Sequence, residues 1–237
     1  MEFNRLYELK NICKENKEQR DCYFASLDQM LTEQNSSYSL LEDDLGRLDD
    51  SAWSFFRDEL KPYLFKKDKK RGWTQLFDKF NEAKGYGYLL DKGCSSVEFI
   101  PPSRVKGVET PDLLGRKGEE VYLCEVKTIN QSDIHRKRVI ERKAGSVGDQ
   151  LNEGLREQLK AVAGKARTQL ESYKCKNVLS MIAYILIEND NWQPEAKKKL
   201  YPQIKSYVTS LSEERFEVHF FFLGSNNCIE DYTCSSF

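Results

Sequence analysis

Histidine is scarce in this chain. Of 237 residues, only His135 and His219 carry an imidazole. A histidine-rich metal site, or a cysteine–histidine catalytic pair, has too few candidates to draw on. The seven cysteines do not compensate. Cys13, Cys22, Cys94, Cys124, Cys175, Cys228 and Cys234 are odd in number and scattered, with no Cys-x-x-Cys spacing. They read as reduced thiols, neither a disulfide framework nor a zinc site. No apolar run approaches the ~20 residues that a membrane-spanning helix needs. The opening MEFNRLYELK lacks the apolar stretch of a signal peptide. The expectation is a chain that stays where it is made, in the cytoplasm or, in a eukaryote, the nucleus. Charge of one sign is not in excess either, the formal net charge being -1. Proteins that grip nucleic acid through bulk charge are usually basic. Any such grip here comes from a local patch, or from a protein partner that recruits the chain.

What the chain does have is a globular composition. Hydrophobic residues make up 39% and aromatic residues 12%, enough to build a core despite the 32% that are charged. Charge is segregated near the N-terminus. Glu42, Asp43, Asp44, Asp49, Asp50, Asp58 and Glu59 form an acid-rich stretch, and Lys61, Lys66, Lys67, Lys69, Lys70 and Arg71 a basic one. That switch, followed by Gly72, places a boundary between an N-terminal extension, 1–71, and a main domain, 72–237. The extension reads as helical. Phe3, Leu6, Leu9 and Ile12 recur every three residues, Phe24, Leu27, Met30 and Leu31 continue at helical spacing, and Ser51 is placed to cap a helix carrying Trp53, Phe56 and Leu60.

The main domain alternates helices and strands. A helix over 73–91 carries Trp73, Leu76, Phe77 and Phe80 on one stripe, with Gly93 as its stop. Strands follow at 96–100, 109–115 and 120–129, the last two joined by an Arg116-Lys117-Gly118 turn as a hairpin. Leu151, Leu155, Leu159, Val162, Ala166, Leu170 and Tyr173 predict a long helix over 150–173. Asn177–Ile187 is an apolar, β-branched run, the pattern of a buried central strand. A helix near 194–211 and a strand near 216–223 complete the series. This order implies an α/β fold with a mixed sheet: the hairpin is antiparallel, and a strand after a long helix can return parallel.

One segment carries chemistry. Glu-x-Lys occurs seven times, at Glu8, Glu15, Glu59, Glu82, Glu125, Glu141 and Glu195, so the tripeptide alone says nothing. Only the copy at Glu125 sits inside an apolar strand, Val121-Tyr122-Leu123-Cys124-Glu125-Val126-Lys127, and it follows the sole Pro-Asp, Pro111-Asp112. Residues two apart on a strand face the same side, so Glu125 and Lys127 share a face. Pairing the hairpin can bring Asp112 beside Glu125. Two carboxylates bind a hard cation such as Mg²⁺ and leave positions for water and phosphate oxygens, while a neighbouring lysine stabilises the negative transition state. The bland alternative is an exposed edge strand with alternating charges.

Glu109-Thr-Pro-Asp-Leu-Leu114, a turn containing Gly118, and Tyr122-Leu-Cys-Glu-Val-Lys-Thr-Ile129 resemble the core of PD-(D/E)xK nucleases, the restriction-endonuclease-like superfamily, over roughly residues 73–187. The resemblance implies that superfamily's αβββαβ core. It also implies Mg²⁺- or Mn²⁺-dependent cleavage of nucleic acid, DNA favoured over RNA, by Asp112, Glu125 and Lys127, with the metal held at Asp112, Glu125 and Val126. It further suggests Glu82, on the first core helix, as an extra metal or water ligand, although the helical wheel sets Glu82 opposite the Trp73/Phe80 stripe and leaves a solvated glutamate open. Gln169-Leu-Glu-Ser-Tyr173 resembles the Gln-x-x-x-Tyr signature of RecB-like nucleases, with plain packing as the alternative for Tyr173. Beyond Lys127 lies a basic cluster of His135, Arg136, Lys137, Arg138, Arg142 and Lys143, either a substrate-binding flap or a solvated helix. Two other functions stay open: a non-catalytic nucleic-acid-binding or scaffold protein on the same fold, and a metal-dependent hydrolase of a nucleotide-like small molecule.

Overall fold

A computed structural model describes residues 3–16, 21–33, 35–69, 71–130, 150–188, 194–223 and 229–230. The chain divides into two compact units, Met1–Pro101 with Asp112–Glu119, and Pro102–Pro111 with Glu120–Phe237. The fold is α/β.

The first unit holds helices α1 (Asn4–Glu15), α2 (Leu27–Glu33), α3 (Asn35–Gly46), α4 (Asp50–Leu60) and α5 (Thr74–Asp91), then strands β1 (Ser96–Phe99) and β2 (Leu113–Lys117). The apolar face of α1 is Leu6, Leu9 and Cys13, the three-four spacing of a half-buried helix. Its first turn is satisfied from a distance: the buried Glu42 carboxylate accepts from the Arg5 N–H at 2.8 Å and the Leu6 N–H at 2.9 Å. The acid-rich stretch is therefore partly internal wiring. Asp44 pairs with the buried Lys84, and Asp49 caps α4 by accepting from the Ala52 N–H at 2.8 Å. Asp49 replaces Ser51 as the cap expected from sequence. Both are capping residues, and the helix begins at Asp50, so Ser51 already lies inside its first turn.

Helix α5 is the axis of this unit. Phe80 meets Phe24 at 6.1 Å and Phe56 at 6.5 Å between ring centroids, and Phe99 lies 5.2 Å from Phe56 and 5.6 Å from Tyr86. Beyond Phe80 the helix is buried on nearly every side, at Asn81, Ala83, Lys84, Gly85, Tyr86, Gly87 and Leu89. At Gly87 the helix meets Arg47, which donates to the Gly87 carbonyl at 2.8 Å and whose guanidinium end would have to shift to admit a Cβ. The helix stops at Gly93, whose φ of +88° suits glycine. Cys13 and Cys22 are joined as a disulfide, Cα atoms 5.9 Å apart, which corrects the reading of every cysteine as a free thiol. A nine-residue spacing does not say whether two Cα atoms approach each other, as these do. Cys94, Cys124 and Cys175 form no disulfide.

The second unit holds β3 (Glu120–Ile129), α6 (Glu153–Ser172), β4 (Val178–Glu188), α7 (Pro194–Leu211), β5 (Phe216–Leu223) and β6 (Ile229–Glu230). β3 runs parallel to β4 and β4 parallel to β5, while β6 returns antiparallel on β5, so the sheet is mixed. The parallel pairs follow from the helices between them, since a crossover returns the chain in the same direction. Residues 182–187 of β4 are all buried, as an apolar run without alternation requires. The Asn152 side chain caps α6 through the Leu155 N–H at 2.8 Å, and Leu155, Leu159, Ala163, Ala166 and Leu170 form its buried stripe. Among the described residues, no helix is long and apolar enough to cross a membrane.

Around β2, two boundaries differ from expectation. Residues 109–112 lie outside any strand, because Pro111 has no N–H to give to a ladder. The turn falls at Gly118-Glu119, with Gly118 at φ +62°, and Arg116 and Lys117 stay in β2.

In β2, Gly115 sits opposite Val97 of the antiparallel β1. A Cβ there would lie 2.7 Å from Cys94 Sγ and 3.4 Å from Leu89 Cδ1, both side chains buried. Overpacking of this kind costs about 1–3 kcal/mol. Gly115→Ala is expected to lower the unfolding free energy, measured by denaturant titration, by that amount, and adding Cys94→Ala to restore most of the loss. Additive effects of the two changes in a double-mutant cycle would show that the contact does not limit packing.

Candidate active site

The candidate residues fall into two side-chain clusters, one in each unit. In the second unit, β3 is buried without a break from Val121 to Val126, which rules out an exposed edge with alternating charges. Glu125 is 1% exposed. Such a carboxylate needs a partner, and Lys127 Nζ supplies it as an ion pair across the shared face of the strand. The lysine side chain remains 29% exposed, so its cation bridges the interior and the surface. Gln169 on α6 fixes it further: Lys127 Nζ donates to Gln169 Oε1 at 3.3 Å, and Gln169 Nε2 donates to the Thr110 carbonyl at 2.5 Å. Gln169 thus touches the candidate catalytic lysine. Tyr173 ends α6, half-buried, its N–H bonded to the Leu170 carbonyl. Val126 points an aliphatic side chain into the core, so only its carbonyl can ligate a cation.

In the first unit, Glu82 pairs with Lys79 Nζ one turn earlier on α5, at 2.9 Å. Burial, and then the negative charge of Asp112, push the Glu82 pKa up to about 8, although Lys79 pulls the other way. At Lys79, burial works against the charged form, yet the carboxylates of Glu82 and Asp112 hold its pKa above the ordinary lysine value. Glu82 and Asp112 are therefore within electrostatic reach of each other. Glu82, with a side chain 17% exposed, is not the freely solvated glutamate the helical wheel left open. Asp112 sits in a bend just before β2, its carbonyl accepting from the Ile100 N–H at 2.9 Å.

A carboxylate whose proton affinity is raised by a second one nearby belongs to a pair that a hard divalent cation would suit. Among the described residues, no group of three or more His, Cys, Asp and Glu gathers in metal-binding proximity. The basic cluster His135, Arg136, Lys137, Arg138, Arg142 and Lys143 lies outside the described residues. Two participants were missed in the sequence. Lys79 had a signal, since it lies three residues before Glu82 on a helix. The Thr110 carbonyl had none, being a main-chain group.

No family model matches the chain, and no curated protein does. Among solved structures it is similar to Pyrococcus furiosus SfsA in complex with Ca²⁺, at 17% identity and a TM-score of 0.29, over 66% of this chain. The chain spans 62% of the length of that protein.

The Glu82 shift has a consequence for stability. Its pKa rises from 4.5 to about 8 on folding, so the folded state holds the proton more tightly than the unfolded chain. Its stabilising contribution is full below pH 4.5 and is lost as pH rises through about 8. The upper bound is roughly 5 kcal/mol. In metal-free buffer, Glu82→Gln is expected to melt progressively above wild type as pH increases from 5 to about 8.5. Parallel melting profiles for the two proteins would contradict the shift.

Proposed function

We propose that this chain is a metal-dependent nuclease of the PD-(D/E)xK type, hydrolysing phosphodiester bonds in nucleic acid, DNA in preference to RNA. The observation that carries the reading is the buried Glu125 carboxylate paired with a half-exposed Lys127 on one face of β3, with Gln169 holding the lysine. Few structural roles require a carboxylate and an ammonium inside an apolar strand. Asp112 enters by spacing. Two residues separate the end of β2 from the start of β3. Asp112 lies one residue before β2, and a Pro-Asp followed by Glu125-x-Lys127 is the order of ligands that the resemblance implies.

The donor set is all oxygen: the carboxylates of Asp112 and Glu125, the Val126 carbonyl, and Glu82 as a further ligand. It fits Mg²⁺ or Mn²⁺. When bound, such an ion acidifies its water and offsets charge on phosphorus. Lys127 orients the attacking water and balances the negative charge of the transition state through Nζ. Gln169 acts through Lys127 as a positioning residue, because its amide bridges Nζ to the fixed Thr110 carbonyl.

A non-catalytic nucleic-acid-binding or scaffold role is the second reading, favoured by the near-neutral net charge of -1. Purified protein with Mn²⁺ or Mg²⁺, assayed against single- and double-stranded DNA and RNA, separates the two. Lys127→Ala should lose turnover by at least ~10²-fold while Mn²⁺ affinity, by calorimetry, holds within a few-fold. Asp112→Ala should lose both. Because Lys127 partners a buried carboxylate, its removal also costs about 3–5 kcal/mol of stability. Lys127→Met, which keeps the aliphatic stem, is therefore run beside it, well below both melting temperatures. Wild-type cleavage by either Lys127 variant would overturn the mechanism.

A further inference from the structure

We infer that the loop 103–110 and the exposed face of α6 beside Gln169 form a track for the phosphate backbone of duplex DNA. This inference rests on the nuclease reading and assigns its substrate form. The loop belongs to the same unit as Glu125 and Lys127, and its base is fastened to them: the Thr110 carbonyl accepts from Gln169, which in turn accepts from Lys127. The base of the loop is therefore tied to the lysine through Gln169.

The tip is ordered by its own hydrogen bonds. Ser103 Oγ accepts from the Val105 N–H at 3.1 Å, the Val108 N–H donates to the Val105 carbonyl at 3.1 Å, and Gly107 turns the chain at φ +83°. It presents Arg104, Val105 and Lys106 outward. Both cations are exposed, and among the described residues Val105, at 64%, is the most exposed large hydrophobic, with Val108 at 51%. Cations flanking an uncovered aliphatic tip suit a groove, where phosphates meet the cations and sugar edges cover the valine. On α6, Lys165 is exposed one turn before Gln169 and on the same helix face. Ala161 and Val162 continue that face with short side chains, so a duplex can approach the helix closely. Cations thus occur on two elements that both converge on Gln169. In a chain of net charge -1, such a local patch is what backbone binding requires.

The composition of the track selects the duplex. Single strands are held mainly by stacking on aromatic side chains. Neither the loop 103–110 nor α6 contains an aromatic residue. Glu109 is the sole acid in the loop, which leaves it a net positive charge.

The test is fluorescence anisotropy on the intact chain in EDTA, with a labelled DNA duplex, its single strand and the matching RNA duplex, from 50 to 200 mM salt. Arg104→Ala/Lys106→Ala/Lys165→Ala should make log K against log salt shallower by about 2.7 for duplex DNA, roughly 0.9 per cation removed. Val105→Ser should weaken binding without changing that slope. Lys160→Ala/Lys198→Ala/Lys205→Ala removes equal charge from other exposed positions of the same unit and should leave the slope at the wild-type value. Equal slopes for both triple variants would overturn the track while leaving the nuclease reading intact. Tighter binding of the single strand or of duplex RNA would overturn the duplex-DNA assignment. Failure of the wild-type chain to bind any nucleic acid would overturn the nuclease reading itself, and the track with it.

Discussion

The ion pair between Glu125 and Lys127 is the constraint around which the second unit is arranged. A carboxylate 1% exposed inside a parallel strand would cost several kcal/mol in desolvation if left to itself. The two-residue period of the strand places the ammonium on the same face, and α6 has to deliver Gln169 to that ammonium. The register of β3 on β4, with Glu125 beside Ala183 and Lys127 beside Ile185, fixes where the pair emerges from the apolar interior. A slip of one residue would turn both charges onto the opposite face. Replacing the pair with apolar residues of similar volume would be near-neutral or stabilising in a typical interior.

The first unit shows the same economy in its use of charge. In the sequence the acid-rich stretch serves only to mark a boundary, yet Glu42 satisfies the first turn of α1, Asp49 caps α4, and Asp44 neutralises the buried Lys84. These contacts tie the N-terminal helices together around α5, the helix that carries Glu82. The raised proton affinity of Glu82 is the remaining imbalance, since Lys79 alone does not offset burial and the nearby Asp112 charge.

Periodicity made most elements legible. The helix 194–211 and the strand 216–223 agree with the structure at both ends, and the long helix differs by three residues at its start, where Asn152 caps it. The parallel pairing of β3 with β4 follows from the intervening helix alone. Misses occurred where one residue's covalent chemistry overrode the pattern. Pro111 shortened β2, Asp49 took the cap from Ser51, and Cys13 met Cys22 at a Cα separation that spacing does not encode. The two-residue strand β6 carries too few residues for any period to register. At the candidate site, the pairing of Glu125 with Lys127 was legible because two residues on a strand must share a face. The bond from Gln169 to Lys127 joins residues 42 apart and depends on how α6 packs on the sheet, which a helical period alone does not specify.

The central claim is that Asp112 and Glu125 hold one cation. The most direct measurement is anomalous diffraction at the manganese edge from crystals of the intact chain soaked in Mn²⁺. The account predicts one strong peak about 2.1 Å from a carboxylate oxygen of each residue, with Lys127 Nζ close by but outside the coordination sphere. A peak bound by only one of the two carboxylates, or carboxylates directed to opposite faces of the sheet, would contradict it.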